Sequence, residues 1–556
     1  MNKRLRWFLV IATVIVSTAM VFMNVNYDSE YQLAMGLRLL KGDLPVLQMW
    51  EPHQTSAFLC AILMKPFMVL TGGTDGILIY IQFMGLLFRV ILGLFINRAI
   101  KRVSSEETAF FALLLYVLTS PKEVLVPEFG DMQHYFGTLL LLFLEEYRVT
   151  GKFLYVILSA ISLCLQVFSY PSAVLVYLAA VLILWKISDK KVRDIGVFTL
   201  VCVLIGGAFI GYLFTYLSPE VIGKILDAAL SVEPSHTVAP GAKFLSYLGN
   251  AAVLSGMLAV LILAGAILSF LLKRDKIFAV SAGAAIMLAF LIFYVIEADN
   301  RGAYGLPMLF TMVLGFVLRK NCDEEEYALY RSAFWISLIS LFATMILTDA
   351  AMLQSIPYML IFVGISLIPI GNYLRRQGEK KQWLFPVFVT AFLTVLLFRC
   401  VYLHIPLYGR GQIMSLRDEY GLVRSGPAMG IVTDEEGAVR QRDSMREWKW
   451  FIHPGDKIWI IGDPVDTLGY LYEDVEVSAP TVMSTPTYNE SLEYYFELNP
   501  EKMPDVVILS SGFGELIAEL ENNEWLMNWI EEEFQPVQVN DGSYWRFYFR
   551  EEREIG

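Results

Sequence analysis

Long apolar runs separated by short basic clusters dominate the first 405 residues of the chain. A helix needs about 20 apolar residues to cross a bilayer, and short loops rich in Lys and Arg stay in the cytoplasm, so the pattern predicts about thirteen transmembrane helices. The N-terminus is expected on the cytoplasmic side of the cell membrane. Seven spans are predicted before the longest outer loop, at about 7–24, 77–97, 107–121, 132–147, 153–169, 172–187 and 195–217, and six more follow up to 383–404.

Residues 25–76, which we call the first outer loop, follow the first span and lie outside in this topology. The segment is too polar and too interrupted to form membrane core, and its pattern predicts two short surface helices. Basic clusters at the later span ends, such as Arg98–Arg102 and Lys186–Arg193, all fall on the opposite, cytoplasmic side. This agreement supports the predicted alternation of the spans.

The pattern changes at about residue 406, and residues 406–556 are called the C-terminal segment below. Lys457–Ile461 and Asp505–Ser510 are apolar runs of strand length, Glu515–Phe534 has helical spacing, and Tyr544–Phe549 is aromatic and strand-like. We predict a small extracytoplasmic α/β domain here, after a transmembrane domain over residues 1–405.

Composition agrees with this division. Of the 556 residues 56% are hydrophobic, and mean hydropathy is +0.53, which is high for a soluble protein. From Gly411 to the end there are 11 Lys and Arg against 29 Asp and Glu, whereas the remainder carries 32 against 26. The acidic exterior excludes nucleic acid as an expected partner. The five cysteines form no CxxC or Cys/His spacing, which disfavours disulfide and zinc frameworks.

The first outer loop contains the most informative polar residues. It begins with Asn26–Tyr31, which includes Asp28 and Glu30, and continues through Lys41–Pro45 to Glu51–Gln54. A carboxylate just beyond a span can act as a general base toward an acceptor at the membrane surface. The alternative is structural, with Asp28 capping the following helix and Glu30 stabilising its first turn.

This loop resembles the first outer loop of GT-C glycosyltransferases, which use a sugar attached to polyprenyl phosphate. The closest subgroup contains protein O-mannosyltransferases and the aminoarabinose transferases of lipid A. The resemblance implies about a dozen spans and a catalytic or acceptor-contacting carboxylate at Asp28, with Glu30 as a second participant. Many members carry a Lys-Pro-Pro run where this chain has Glu51-Pro52-His53-Gln54. This difference bears on the assignment of subgroup and substrate more than on the assignment of the fold.

The second outer loop adds Glu128, Asp131 and His134. With Glu51 and His53, these are candidates to contact the acceptor or to hold a divalent cation. The branch that this chain most resembles generally uses no metal, so no metal is assigned. Alternatively, Asp131 caps the fourth span and Glu128 is exposed.

Two further outer elements are candidates for donor binding. By resemblance, Arg301 and Tyr304 correspond to the family element that contacts the lipid phosphate, and the planar guanidinium of arginine suits that role. Arg301 can instead pair with a nearby acidic residue. His236, in the long outer loop, can contact phosphate or acceptor, although a lone loop histidine is commonly solvated.

The favoured hypothesis is therefore a glycosyltransferase that moves a sugar from a polyprenyl-phosphate donor to a protein, lipid or cell-envelope glycan. A non-catalytic transporter or flippase is the main alternative. That class tends to place ionisable residues mid-span and to show inverted repeats. A third alternative is a membrane-anchored protein whose C-terminal segment binds a partner.

Overall fold

The computed structural model describes residues 3–23, 27–119, 125–232, 305–346, 355–376, 420–462, 464–483, 487–510, 522–537 and 544–551, with scattered residues between 241 and 271. The helices before the C-terminal segment are α1 Lys3–Met23, α2 Tyr27–Lys41, α3 Ala57–Thr71, α4 Ile77–Val103, α5 Glu106–Leu118, α6 Phe129–Thr150, α7 Leu154–Ser169, α8 Val176–Ile187, α9 Lys191–Leu213, α10 Pro219–Val232, α11 Gly305–Leu318, α12 Glu324–Ile346 and α13 Leu360–Arg376.

Six helical stretches in the described part of the chain are long and apolar enough to cross a membrane: Lys3–Met23, Gln54–Thr71, Ile77–Val103, Lys191–Leu213, Glu324–Met345 and Ile356–Arg376. Large apolar side chains on their outer faces are exposed, as expected where a helix contacts lipid, and Leu70 (85%) and Val192 (83%) are the extreme cases. The total of thirteen spans stays a prediction, because spans eight, nine and thirteen lie largely or wholly outside the described residues.

The two helices predicted in the first outer loop are present as α2 and α3. Their predicted surface position is wrong for α2, because every described side chain from Asp28 to Arg38 is buried. The reason is tertiary: α2 is packed between α3 and the 3₁₀ helix Pro464–Leu471 of the C-terminal segment. Helix α3 exposes Ile62, Val69 and Leu70 and has the length of a span, so its outer face suits lipid better than water.

The second outer loop enters the helix bundle instead of lying on its surface. Leu125–Glu128 is fully buried. At Gly85 of α4, an added Cβ would lie 1.8 Å from the carbonyl oxygen of Leu125, so only glycine permits this approach. Non-helical backbone at this depth is tolerated because protein surrounds it.

The described part of the C-terminal segment contains two sheets. Strands β1 Tyr420–Leu422 and β2 Val432–Asp434 pair antiparallel. The larger sheet has the order β4-β3-β5-β7-β6, with parallel pairs at β3 and antiparallel pairs at β7. Its strands are β3 Lys457–Ile461, β4 Glu476–Val477, β5 Val506–Ser510, β6 Gln535–Pro536 and β7 Trp545–Phe549, and the helices are α14 Glu435–Phe451, α15 Ser491–Leu498 and α16 Glu524–Glu533.

The three strands predicted in this segment correspond to β3, β5 and β7. Strands β3 and β5 are buried almost throughout, as their continuous apolar runs predict. The helix predicted over 515–534 is described from Glu524 to Glu533. A domain boundary at residue 406 lies outside the described residues and stays a prediction.

The C-terminal segment contacts the first outer loop through backbone and side chains. The Trp50 amide donates to the Pro480 carbonyl (2.8 Å), and the Gly76 amide donates to the Gly426 carbonyl (2.9 Å). The Asn499 side-chain amide donates to the Leu47 carbonyl (3.0 Å). These bonds hold the two parts of the chain in one arrangement.

Candidate functional site

The acidic pair of the first outer loop lies at the start of α2. The helix begins at Tyr27, so Asp28 and Glu30 both lie in its first turn, where the helix dipole favours negative charge. Asp28 is 8% exposed and Glu30 is fully buried. Burial raises the pKa of Tyr472, and the charges of Asp466 and Glu30 add to that rise. Glu30 therefore lies near the C-terminal segment.

An aromatic cluster joins the first outer loop to the second. The His53 ring stacks on Phe129 with centroids 4.2 Å apart, and on Tyr170 at 4.7 Å. Tyr31, next to Glu30, meets the same Phe129 edge-on at 6.3 Å. The structure thus brings together α2, the residues after the Glu51-Pro52 turn, the start of α6 and the turn before α8.

Glu128 caps α6. Its two carboxylate oxygens accept from the amides of Gly130 (2.8 Å) and Asp131 (2.7 Å), and its side chain is fully buried. The alternative in which Asp131 caps this helix and Glu128 is exposed is therefore wrong. The second outer loop enters the bundle, so the amides at the start of α6 need a buried acceptor, and Glu128 supplies it.

Asp131 belongs to a buried ion pair inside the bundle. Its Oδ2 accepts from Nη2 of Arg89 in α4 at 3.0 Å and from the Tyr135 hydroxyl at 3.3 Å. The same hydroxyl accepts from Arg89 Nε at 2.8 Å. All three side chains are buried. The positive charge of Arg89 and the negative charge of Asp131 compensate each other, as the burial of both requires.

His134 lies about one turn further along α6. Its ring stacks on Tyr116 at 5.1 Å and lines a small cavity with Ser337 and Tyr358. His134 Nε2 and Ser337 Oγ have no hydrogen-bond partner among the described residues, and the cavity has room for about one water molecule. In the part of the chain that the structure describes, no group of three His, Cys, Asp or Glu side chains is placed to hold a metal ion.

Glu51 contacts the C-terminal segment and Arg38. Its Oε1 accepts from Arg38 Nη1 at 3.1 Å and from the Val482 amide at 3.0 Å. The second oxygen, Oε2, has no hydrogen-bond partner among the described residues. Burial raises the pKa of Glu51 above its ordinary value, although Arg38 opposes the rise. This placement gives Glu51 a structural contact, and its candidacy for the acceptor stays a proposal.

Two arginines that sequence reasoning did not single out organise this region. Arg89 holds Asp131, and Arg38 holds Glu51 and Asp43. An arginine in the middle of an apolar span, as at Arg89, is a recognisable signal of a buried partner. Arg38 sits on a short helix with an ordinary polar pattern and gives no comparable signal. The remaining candidates His236, Arg301 and Tyr304 lie outside the described residues.

This chain is similar to known proteins in its structure. No family model matches the chain, and no curated protein sequence matches it. Among solved structures, an oligosaccharyltransferase from Archaeoglobus fulgidus in complex with Zn and sulfate aligns with 10% identity and a TM-score of 0.45, covering 90% of this chain and 67% of that one. ArnT from Cupriavidus metallidurans bound to undecaprenyl phosphate aligns with 11% identity and a TM-score of 0.41, covering 99% and 98%.

Both of these proteins are GT-C fold enzymes, the class that the first outer loop resembles. TM-scores below 0.5 describe a likeness in general layout only.

Proposed function

We propose that this chain is a membrane glycosyltransferase that moves a sugar from a polyprenyl-phosphate donor to a protein, lipid or glycan acceptor on the outer face of the membrane. The observation that carries the proposal is the position of Asp28 and Glu30. Both are buried in the first turn after the first span, beside the aromatic cluster that joins the two outer loops. A site that excludes water and carries a carboxylate suits acceptor activation.

In the proposed step, the acceptor oxygen forms a bond to the anomeric carbon of the sugar. The bond between that carbon and the phosphate oxygen breaks, and its electron pair leaves with the polyprenyl phosphate. Asp28 receives the acceptor proton, and Arg301 stabilises the negative charge that develops on the leaving group. The role of Arg301 follows from the family resemblance.

The other candidates support this step by position. Stacking fixes the plane of the His53 ring at the junction of the loops. Glu128 and Asp131 are bonded to backbone amides and to Arg89, so we assign them to holding the start of α6 in place. Sugar, acceptor and prenyl chain length are left open by these contacts.

The test uses the full chain in lipid nanodiscs with a panel of radiolabelled polyprenyl-phosphate sugars and a crude envelope extract. Wild type is expected to release or transfer label from one donor, and Asp28→Asn is expected to lower that rate by roughly 10²–10⁴-fold. Asp75→Asn is the matched control, because Asp75 is an exposed carboxylate in the same outer loop. A fully active Asp28→Asn protein would remove the catalytic assignment.

The Arg89–Asp131 pair is the observation that favours the second candidate, a transporter or flippase. Arg89 lies near the middle of α4, and ionisable residues in that position often mark a transport pathway. Proteoliposomes that move a labelled polyprenyl-phosphate sugar between leaflets, with no transfer to any acceptor and with loss of movement in Asp131→Asn, would favour this candidate.

A further inference from the structure

A groove between α8 and α12 plays no part in the proposed reaction. Its volume is about 250 Å³. Pockets that enclose a whole small molecule measure roughly 300–1,000 Å³, so this groove suits one end of a longer ligand whose remainder lies elsewhere. The walls are apolar and include Leu182, Ile183, Trp335 and Ile339. Leu182 is 63% exposed and Trp335 47% exposed, so the groove opens toward the bilayer.

Two cationic side chains line the same groove. Lys186 lies in the last turn of α8, and Arg331 is the eighth residue of α12, about 10 Å along the helix from Glu324. The two helices pack antiparallel, because the end of α8 and the start of α12 share one face of the bundle. In the predicted topology that face is cytoplasmic.

Two acidic residues in the first turn of α12 are engaged elsewhere. Glu325 at the start of α12 lies 3.7 Å from Arg148, and Glu326 accepts from the Asn372 side-chain amide at 2.6 Å. Among the described residues, neither Lys186 nor Arg331 has an ion pair or a side-chain hydrogen bond. Two cations beside apolar walls therefore remain without an internal counter-ion, which is unfavourable at a membrane interface unless water or an anion supplies the partner.

We propose that this groove binds an anionic phospholipid of the cytoplasmic leaflet. The phosphate lies between Lys186 and Arg331, and one acyl chain lies along the apolar wall formed by α8 and α12. Basic pockets between transmembrane helices on this side are suited to anionic head groups, and the arginine fork can grip two phosphate oxygens. A soluble anion would gain nothing from the apolar wall, and a neutral lipid would leave the two cations uncompensated.

The simplest structural alternative is that both side chains extend into water at the membrane surface, as lysine and arginine commonly do. This alternative predicts no difference between lipids. The site lies apart from Asp28 and the outer loops, so its test is independent of the proposed transferase activity.

The experiment measures lipid retention by native mass spectrometry. Purified, delipidated full-length protein is titrated with phosphatidylglycerol or with phosphatidylcholine of the same acyl chains. Wild type is expected to retain one phosphatidylglycerol per chain, and the double variant Lys186→Met/Arg331→Met is expected to bind it at least about tenfold more weakly, since two charge-assisted contacts are lost. The charge-conserving double variant Lys186→Arg/Arg331→Lys is expected to retain most of the binding.

A matched control is Lys152→Met/Lys190→Met, which removes two exposed lysines on the same predicted face without touching the groove. Thermal unfolding in detergent checks that each variant is folded. Equal retention of the two lipids by wild type, or unchanged binding in the methionine variant, overturns the proposal. Preferential retention of polyprenyl phosphate, displacing phosphatidylglycerol, overturns the assignment to a phospholipid. Displacement of phosphatidylglycerol by glycerol phosphate, which has no acyl chain, overturns the proposed role of the acyl chain.

Discussion

Arg38 is a fully buried arginine of α2. Its guanidinium contacts the rest of the first outer loop and the C-terminal segment. Its Nε donates to Asp43 Oδ2 at 2.7 Å, Nη1 donates to Glu51 and to the Pro480 carbonyl, and Nη2 donates to the Gln48 carbonyl. Burial alone would lower the pKa of Arg38, but the charges of Glu51 and Asp43 outweigh burial and hold that pKa above its ordinary value. Arg38 therefore stays charged although it is fully buried.

Lys502 completes this network from the C-terminal segment. Its Nζ donates to Asp43 Oδ1 at 2.6 Å and to the Val477 carbonyl at 3.2 Å. Two buried cations thus face two buried carboxyl groups, Asp43 and Glu51. Removal of one member of such a cluster lowers the stability of the protein by more than the whole cluster adds to it, because one buried charge is left uncompensated.

Replacement of Arg38 by Met is expected to destabilise the protein by about 3–5 kcal/mol, since Glu51 would lose its ion pair with Arg38 and Asp43 would retain Lys502. Thermal unfolding of the purified protein and limited proteolysis of the C-terminal segment measure the effect. Lys41→Met is the matched control, because Lys41 also pairs with the C-terminal segment but through the largely exposed Asp474. The control is expected to cost at most about 1 kcal/mol. Similar losses of stability in the two variants would show that the buried network stabilises the protein no more than the exposed pair does.

At the scale of elements, the close approach of α4 to the second outer loop decides where Glu128 and Asp131 lie. The Leu125 carbonyl packs against Gly85, and the chain then turns directly into α6 with Glu128 as its cap. From there the first turn of α6 presents Asp131 to Arg89 on α4. A helix start buried in this way depends on both the glycine and the capping carboxylate.

Replacement of Gly85 by Ala is expected to lower stability by about 1–3 kcal/mol or more, because the new methyl group meets a backbone atom and the loop must shift. The unfolding temperature in detergent is the measurement. Gly206→Ala in α9 is the matched control, since no atom lies within 4 Å of the added Cβ. Its unfolding temperature is expected to stay the same or to rise slightly. Equal temperatures for both variants would show that the second outer loop does not sit against α4.

At the scale of the whole molecule, the C-terminal segment covers the first outer loop. It contacts α2 through the 3₁₀ helix Pro464–Leu471 and contacts α10 through α15. Trp50 meets Tyr495 of α15 edge-on at 5.1 Å, and the Tyr495 hydroxyl donates to the Gln48 carbonyl at 2.9 Å. The acidic start of α2 is consequently enclosed between the bundle and the C-terminal segment.

A disulfide tests this arrangement and the predicted topology together. The hydroxyl oxygens of Ser231 in α10 and Ser491 in α15 lie 2.7 Å apart, so the two residues are neighbours across the contact. The double variant Ser231→Cys/Ser491→Cys is expected to form an intramolecular disulfide on mild oxidation, detected by mass spectrometry of its peptides.

Each single cysteine variant is the control, and a membrane-impermeant thiol reagent is expected to label both from the outer face. A double variant that stays reduced while both cysteines are labelled from outside would contradict the docking. Labelling of the two cysteines from opposite faces would contradict the topology.

The order of apolar runs, the two helices of the first outer loop and the strands β3, β5 and β7 could all be predicted from the sequence. Each depends on periodicity or length within a short stretch, which is a local property. Asp28 and Glu30 could be singled out for the same reason, since they follow a span and belong to a short motif.

Burial of α2, burial of Glu128 and the partners of Arg38 and Arg89 were decided by the tertiary structure alone. Arg38 meets Pro480, 442 residues away, and Asp43 meets Lys502, 459 residues away. Residues this far apart in the chain produce no periodic pattern in a single sequence. Their interaction energy arises only when folding removes water from both side chains.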